Sequence, residues 1–154
     1  MYRHTQTGYW GWVIWPVVGL QLWLAWYFRD QLWLSLLMLG MAAVVGVIAL
    51  SFQSLTIQDE GDFLGICFGP IPLAYKRIDY DEIDRVERGQ TKWIDGWGIH
   101  WVPGRGWTYN IRGFDCVKLT MGERTVRLGT DDPAGLLEML ERKVGARIAN
   151  QENP

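Results

Sequence analysis

Trp10 to Phe52 reads WGWVIWPVVGLQLWLAWYFRDQLWLSLLMLGMAAVVGVIALSF, two apolar runs parted by Arg29, Asp30 and Gln31. The first run, Trp10 to Phe28, holds 19 residues without a charge, and the second, Leu32 to Phe52, holds 21. As helices at ~1.5 Å per residue each is about 30 Å long, the thickness of a bilayer's hydrocarbon core. Apolar side chains occupy every face of both runs, whereas the surface helix of a soluble domain keeps one polar face. The stretch predicts two antiparallel transmembrane helices joined by a short turn, with both chain ends in one compartment.

Details within the runs agree with this reading. Trp10, Trp12, Trp26 and Trp33 fall near the expected ends, where indoles favour the boundary between headgroups and hydrocarbon. Pro16 is tolerable in a membrane helix and predicts a kink. Ala42, Gly46 and Ala49 give the second helix a narrow face for close packing. A cleaved signal peptide would have a shorter apolar region of about 7–15 residues and a small-residue cleavage site. Arg3 places the amino terminus in the cytoplasm, although Arg29 in the turn weighs the other way. Cys67 and Cys116 lack metal or redox spacing and read as reduced thiols, which also favours the cytoplasm. The expectation is a multi-pass protein of the inner (plasma) membrane with its C-terminal domain cytoplasmic.

Composition changes at Gln53. Of 15 Lys and Arg and 17 Asp and Glu, only Arg3, Arg29 and Asp30 precede it, leaving 13 basic against 16 acidic residues, interleaved. A nucleic-acid partner needs a concentrated positive surface, so none is expected.

The polar half alternates. Leu55-Thr56-Ile57, the turn Asp59 to Asp62 and the strand Phe63 to Phe68 form one hairpin, ended by Gly69-Pro70-Ile71-Pro72. A strand follows over Ile83 to Arg88. In GWGIHWVPGRGWTYNI (Gly96 to Ile111), Trp97, Ile99 and Trp101 share one parity, as do Trp107, Tyr109 and Ile111. Two strands joined by Val102 to Gly106 put these six side chains on one face. Val117, Leu119 and Met121 alternate against Val126 and Leu128 across Gly122-Glu123 in a third hairpin. Asp132 then caps a helix with Pro133 at its first position, and Leu137, Leu140, Val144 and Ile148 mark its apolar face. Some seven strands and a C-terminal helix make a half-open barrel or sandwich, plugged by that helix, over residues 53–149, after a tail and helical hairpin over 1–52 and before a polar tail over 150–154.

IDYDEIDRVE (Ile78 to Glu87), GWGIHW (Gly96 to Trp101), GWTYNIRG (Gly106 to Gly113) and VRLGTDDPAGLLEML (Val126 to Leu140) together resemble the bacterial PH-like membrane proteins, in which a transmembrane hairpin precedes a PH-like domain. The resemblance implies an α+β fold, a two-helix transmembrane hairpin followed by a PH-like antiparallel β-barrel or sandwich with a C-terminal helix, serving as a binding or scaffolding surface without catalytic residues. Headgroup pockets of eukaryotic PH domains use basic residues around an early hairpin, and here that hairpin is the acidic Asp59 to Asp62.

Chemistry-bearing residues each have a plainer explanation. His100 has only the distant His4 for company, too few ligands for zinc. Ser35, Ser51 and Ser54 all lie in or beside the second apolar run, so the polar half has no serine nucleophile. Cys116 with His100 is the one formal nucleophile pair, at the membrane surface, and lies in no nucleophile motif. Asp131-Asp132 reads as a helix cap, and Asp79, Asp81, Glu82 and Asp84 as a solvated strand edge. Gly104-Arg105-Gly106 lacks the lysine and Ser/Thr of a phosphate loop and reads as a hairpin turn.

What survives is the aromatic hairpin, as core or as contact surface. The expected function is protein contact or self-assembly at the membrane, without enzyme activity, cofactor or metal, through Trp97, Trp101, Arg105, Trp107 and Tyr109. The alternative is recognition of anionic lipid headgroups, with Trp93, Trp97 or Trp107 dipping into the interface and Arg105 meeting the headgroup.

Overall fold

The computed structural model describes residues 2–151, and the side chains of all of these except 10, 11 and 146–151. The chain is α+β, in the order β1 (Arg3–Thr7), α1 (Trp10–Tyr27), α2 (Leu32–Ser51), β2 (Ser54–Asp59), β3 (Phe63–Gly69), β4 (Tyr75–Asp79), β5 (Arg85–Gln90), β6 (Gly98–Val102), β7 (Gly106–Asn110), β8 (Asp115–Met121), β9 (Arg124–Gly129) and α3 (Pro133–Gln151). One-turn 3-10 helices at Tyr80–Glu82 and Trp93–Asp95 flank β5.

α2 is long and apolar enough to cross a membrane, and most of its large side chains, Trp33, Leu37 and Val44 among them, face outward. A core helix of a soluble domain would bury them. α1 is a shorter apolar helix, continuous through Pro16, and lies against α2. Val18, Gln21 and Ala25 on α1 and Ala42 and Ala49 on α2 are buried, so small residues let the two backbones approach.

The first departure from the sequence reading is at the amino terminus. Arg3–Thr7 is a strand rather than a tail, pairing antiparallel with β2 from Arg3 opposite Gln58 to Thr7 opposite Ser54. The Gly8 N–H donates to the Gln53 carbonyl at 2.9 Å, so the helical hairpin is inserted between two neighbouring strands. Side chains fix β1 further: Tyr2 donates to Asp132 at 3.2 Å, His4 meets Asp131 at 2.5 Å and the Gln6 amide donates to the Gly129 carbonyl at 2.8 Å.

Two sheets result, ordered β1-β2-β3-β4 and β5-β8-β9-β7-β6. The expectation of a half-open antiparallel barrel or sandwich needs correction on one point, since β7 runs parallel to β9; the barrel is not closed. Alternating positions point inward, Leu55, Ile57, Leu64, Ile66 and Phe68 from one sheet and Val117, Leu119, Val126 and Leu128 from the other. α3 closes this core with Leu136, Met139, Leu140 and Val144, while Leu137 is only partly buried and the Ile148 side chain lies outside the described residues. Asp132 caps α3 as expected, its Oδ1 accepting the Gly135 N–H at 3.0 Å.

The chain changes sheets at Tyr80–Glu82, where the sequence had offered one polar-edged run. Tyr80 turns inward there and donates to Asp59 Oδ1 at 2.9 Å. The same oxygen accepts the Gly61 N–H at 3.0 Å and meets Lys143 Nζ at 3.1 Å, which ties α3 to the β2–β3 turn. Burial alone would raise the Asp59 pKa; hydrogen bonds from Lys143, the Gly61 N–H and Tyr80 outweigh it and hold the carboxyl below its ordinary value.

Candidate functional site

The stretch between β5 and β6 crosses the outer face of the second sheet. It is pinned there by Asp95, whose side chain is wholly buried and accepts Arg105 Nε and Nη2 at 2.6 Å each and the Lys92 N–H at 2.6 Å. Burial pushes the Asp95 carboxyl up, and these hydrogen bonds reverse the sign, leaving its pKa lowered. Arg127 in turn donates to the Arg105 carbonyl. Arg105 is thereby held within the fold, where the sequence had offered it as a contact residue or, in the alternative, to a headgroup.

β6 and β7 form the expected hairpin, with Ile99 opposite Tyr109 and Trp101 opposite Trp107. The Arg105 N–H donates to the Val102 carbonyl at 3.0 Å, an ordinary turn, and Gly104 and Gly106 take φ of +73° and +84°. The single aromatic face divides along its length. Tyr109 and Ile111 are buried in the core, which removes Tyr109 from the contact candidates, while Trp101 and Trp107 stay 59% and 46% exposed. Burial raises the Tyr109 pKa, in keeping with its place in the core.

Trp97 sits with a second aromatic group. Its ring centroid lies 5.0 Å from Trp93, edge to face, and 6.4 Å from Phe114, and Trp93 and Phe114 are 6.0 Å apart. Trp93 is 76% exposed, and Ile94 and Phe114 are exposed beside it. Trp97 also lines clefts with Val13 and Ile14 of α1 and with Ile111. Arg112 lies over the Tyr9 ring, 4.7 Å from its centroid. Phe114 and Ile94 were missed in the sequence because neither belongs to an alternating run; Phe114 follows Gly113 in a loop whose path only the tertiary structure reveals.

The remaining chemistry is not gathered. Cys116 is buried, and its thiol is pushed up to about 11 by burial, with Arg127 opposing and Asp95 and Asp115 adding. On β6, His100 Nε2 lies 2.6 Å from the Trp97 carbonyl, which just precedes the strand. β9 and β7 separate β8 from β6, about 14 Å at ordinary strand spacing, so Cys116 and His100 do not form a pair. No group of three or more metal-ligating side chains occurs among the described residues. Asp79 is engaged by Arg77 at 2.6 Å, and Asp84 accepts the Gly122 N–H at 2.6 Å.

No protein family, curated protein or solved structure matches this chain.

Proposed function

We propose that the chain is a membrane-anchored, non-enzymatic contact module of the bacterial PH-like kind. In this reading both helices span the inner membrane, and the β-domain binds a membrane-protein partner or a second copy of itself in the cytoplasm. The observation that carries it is the Trp101–Trp107 pair, two large indoles opposite each other on an edge hairpin and about half exposed. Exposed tryptophan supplies contact area at low conformational cost and anchors protein interfaces. β6 pairs with β7 alone among the described strands, which makes it an edge strand of the kind a partner strand can extend. The buried, protonated Cys116 and its separation from His100 support a role in contact rather than catalysis.

The test is cross-linked co-purification from native membranes, comparing the unaltered chain with Trp101→Ala and Trp107→Ala variants whose thermal transitions are intact. A defined partner, or a self-adduct, lost from both variants supports the reading. The same adduct kept by both ends it.

A further inference from the structure

We infer that Trp93, Trp97 and Phe114 form a lip seated in the headgroup region of the membrane that α2 crosses, holding the β-domain at one orientation with the Trp101–Trp107 pair turned away from the bilayer. The inference rests on the membrane anchoring proposed above and is independent of any protein partner.

The connections between helices and strands leave the domain little freedom. Only Gly8 and Tyr9 separate β1 from α1, only Phe52 and Gln53 separate α2 from β2, and the Gly8 N–H to Gln53 carbonyl bond ties the two linkers together. Val13 and Ile14, which line clefts with Trp97, stand three and four residues into α1, about 5–6 Å past its first residue along the axis. Trp97 therefore lies beside the first turn of an apolar helix, with the rings of Trp93 and Phe114 5.0 and 6.4 Å from its own.

The composition of the lip matches that depth. Indole and phenyl rings favour the boundary between headgroup and hydrocarbon, and Lys92 and Arg112, both exposed, flank them. Arg112 keeps its guanidinium over Tyr9, the residue just before α1, where lipid phosphates would lie. The hairpin ends are segregated accordingly. Gly98 and Ile99 line a cleft with Ile14 and Phe52 beside the helices, whereas Trp101 and Trp107 flank the far turn, whose Gly106 packs against the Thr125 carbonyl near the β8–β9 turn.

The experiment uses the full chain in nanodiscs of phosphatidylcholine and phosphatidylglycerol, with Cys67 replaced by Ser and Cys116 left buried. A nitroxide is attached in separate samples at Trp93→Cys, at Val44→Cys on the outward face of α2 and at Glu123→Cys in the β8–β9 turn. Collision rates are then read with oxygen and with a water-soluble nickel chelate. The lip predicts that the label at 93 is shielded from the chelate relative to the one at 123, at a depth between those at 123 and 44. A label at 93 as open to the chelate as that at 123, with the label at 44 in hydrocarbon, overturns the lip and leaves the anchor standing. All three open to the chelate overturns the anchoring itself.

Discussion

Arg105 and Asp95 meet through two hydrogen bonds of 2.6 Å, Nε to Oδ1 and Nη2 to Oδ2, with the carboxylate wholly buried. The pair fastens the Trp93–Asp95 turn to the tip of the β6–β7 hairpin, so it positions both aromatic surfaces. Truncation of one partner leaves the other as an uncompensated buried charge, which costs about 3–5 kcal/mol. Arg105→Ala is expected to destabilise the domain by that order, and Arg105→Lys by less, because lysine keeps the charge but not the planar fork. Denaturant titration in detergent checks both; a loss below about 1 kcal/mol for Arg105→Ala, the range of an exposed pair, would contradict the pinning role.

Asp59 contributes stability that is lost in acid. Its folded pKa lies below the ordinary carboxylate value, so its stabilisation is fully present above about pH 4 and is lost as pH falls through the folded pKa. Thermal midpoints measured downward from neutral pH should fall for the unaltered chain and fall less steeply for Asp59→Asn, which begins lower. Asp95 contributes with the same sign and remains in both chains, so the difference between the two curves isolates Asp59.

How much of this arrangement was readable varies by residue. The β8–β9 hairpin and the start of α3 are written locally, in the alternation of Val117 and Leu119, the Gly122-Glu123 turn and the Asp132-Pro133 cap. β1 is not, because Arg3-His4-Thr5-Gln6-Thr7 lacks apolar alternation. Its buried inward residue is Gln6, whose amide N–H donates to a carbonyl 123 residues away while its Oε1 has no hydrogen-bond partner, and its partner strand lies beyond both helices. Arg105 reads as a contact residue in a hairpin turn, and nothing local marks Asp95 as its partner until the loop between β5 and β6 brings them together. Trp107 and Tyr109 share a parity, and only the extent of the opposing layers decides that one is half exposed and the other buried.

That division gives a direct contrast. Trp101→Ala, at an exposed site, is expected to cost about 1 kcal/mol or less, while Tyr109→Ala should cost about 3–5 kcal/mol, the range of a large aromatic removed from a core. Equal losses in denaturant titrations would return Trp101 to the core and remove it as an anchor for a partner.

Gly104 and Gly106 test the hairpin turn separately. Both have positive φ, so alanine at Gly104, where a Cβ meets open space, should cost about 1 kcal/mol from the backbone alone. At Gly106 the Cβ would stand 2.0 Å from the Thr125 carbonyl oxygen, so Gly106→Ala must also push β7 away from β9. Its loss should be clearly larger, with faster amide hydrogen exchange at Trp107 to Tyr109, the residues paired with β9. Identical stability and exchange in the two variants would mean that this close approach is absent in solution.

The last prediction concerns β1. Residues 53–154 alone would expose the outer edge of β2 and remove the Tyr2–Asp132, His4–Asp131 and Gln6–Gly129 bonds, so this fragment should be poorly folded. Gly8 and Gln53 are already in hydrogen-bond contact, which leaves a short gap to bridge once the helices are removed. A chain carrying residues 1–8, a brief Gly/Ser linker and residues 53–154 should therefore fold without the helical hairpin. The contrast is read as dispersed amide resonances and a cooperative thermal transition for the linked chain, with neither for the fragment. Equal folding of both would make β1 dispensable, whereas failure of both would show that the excised segment supports the core directly, through contacts such as that between Phe52, the residue after α2, and Phe68, 5.2 Å between ring centroids.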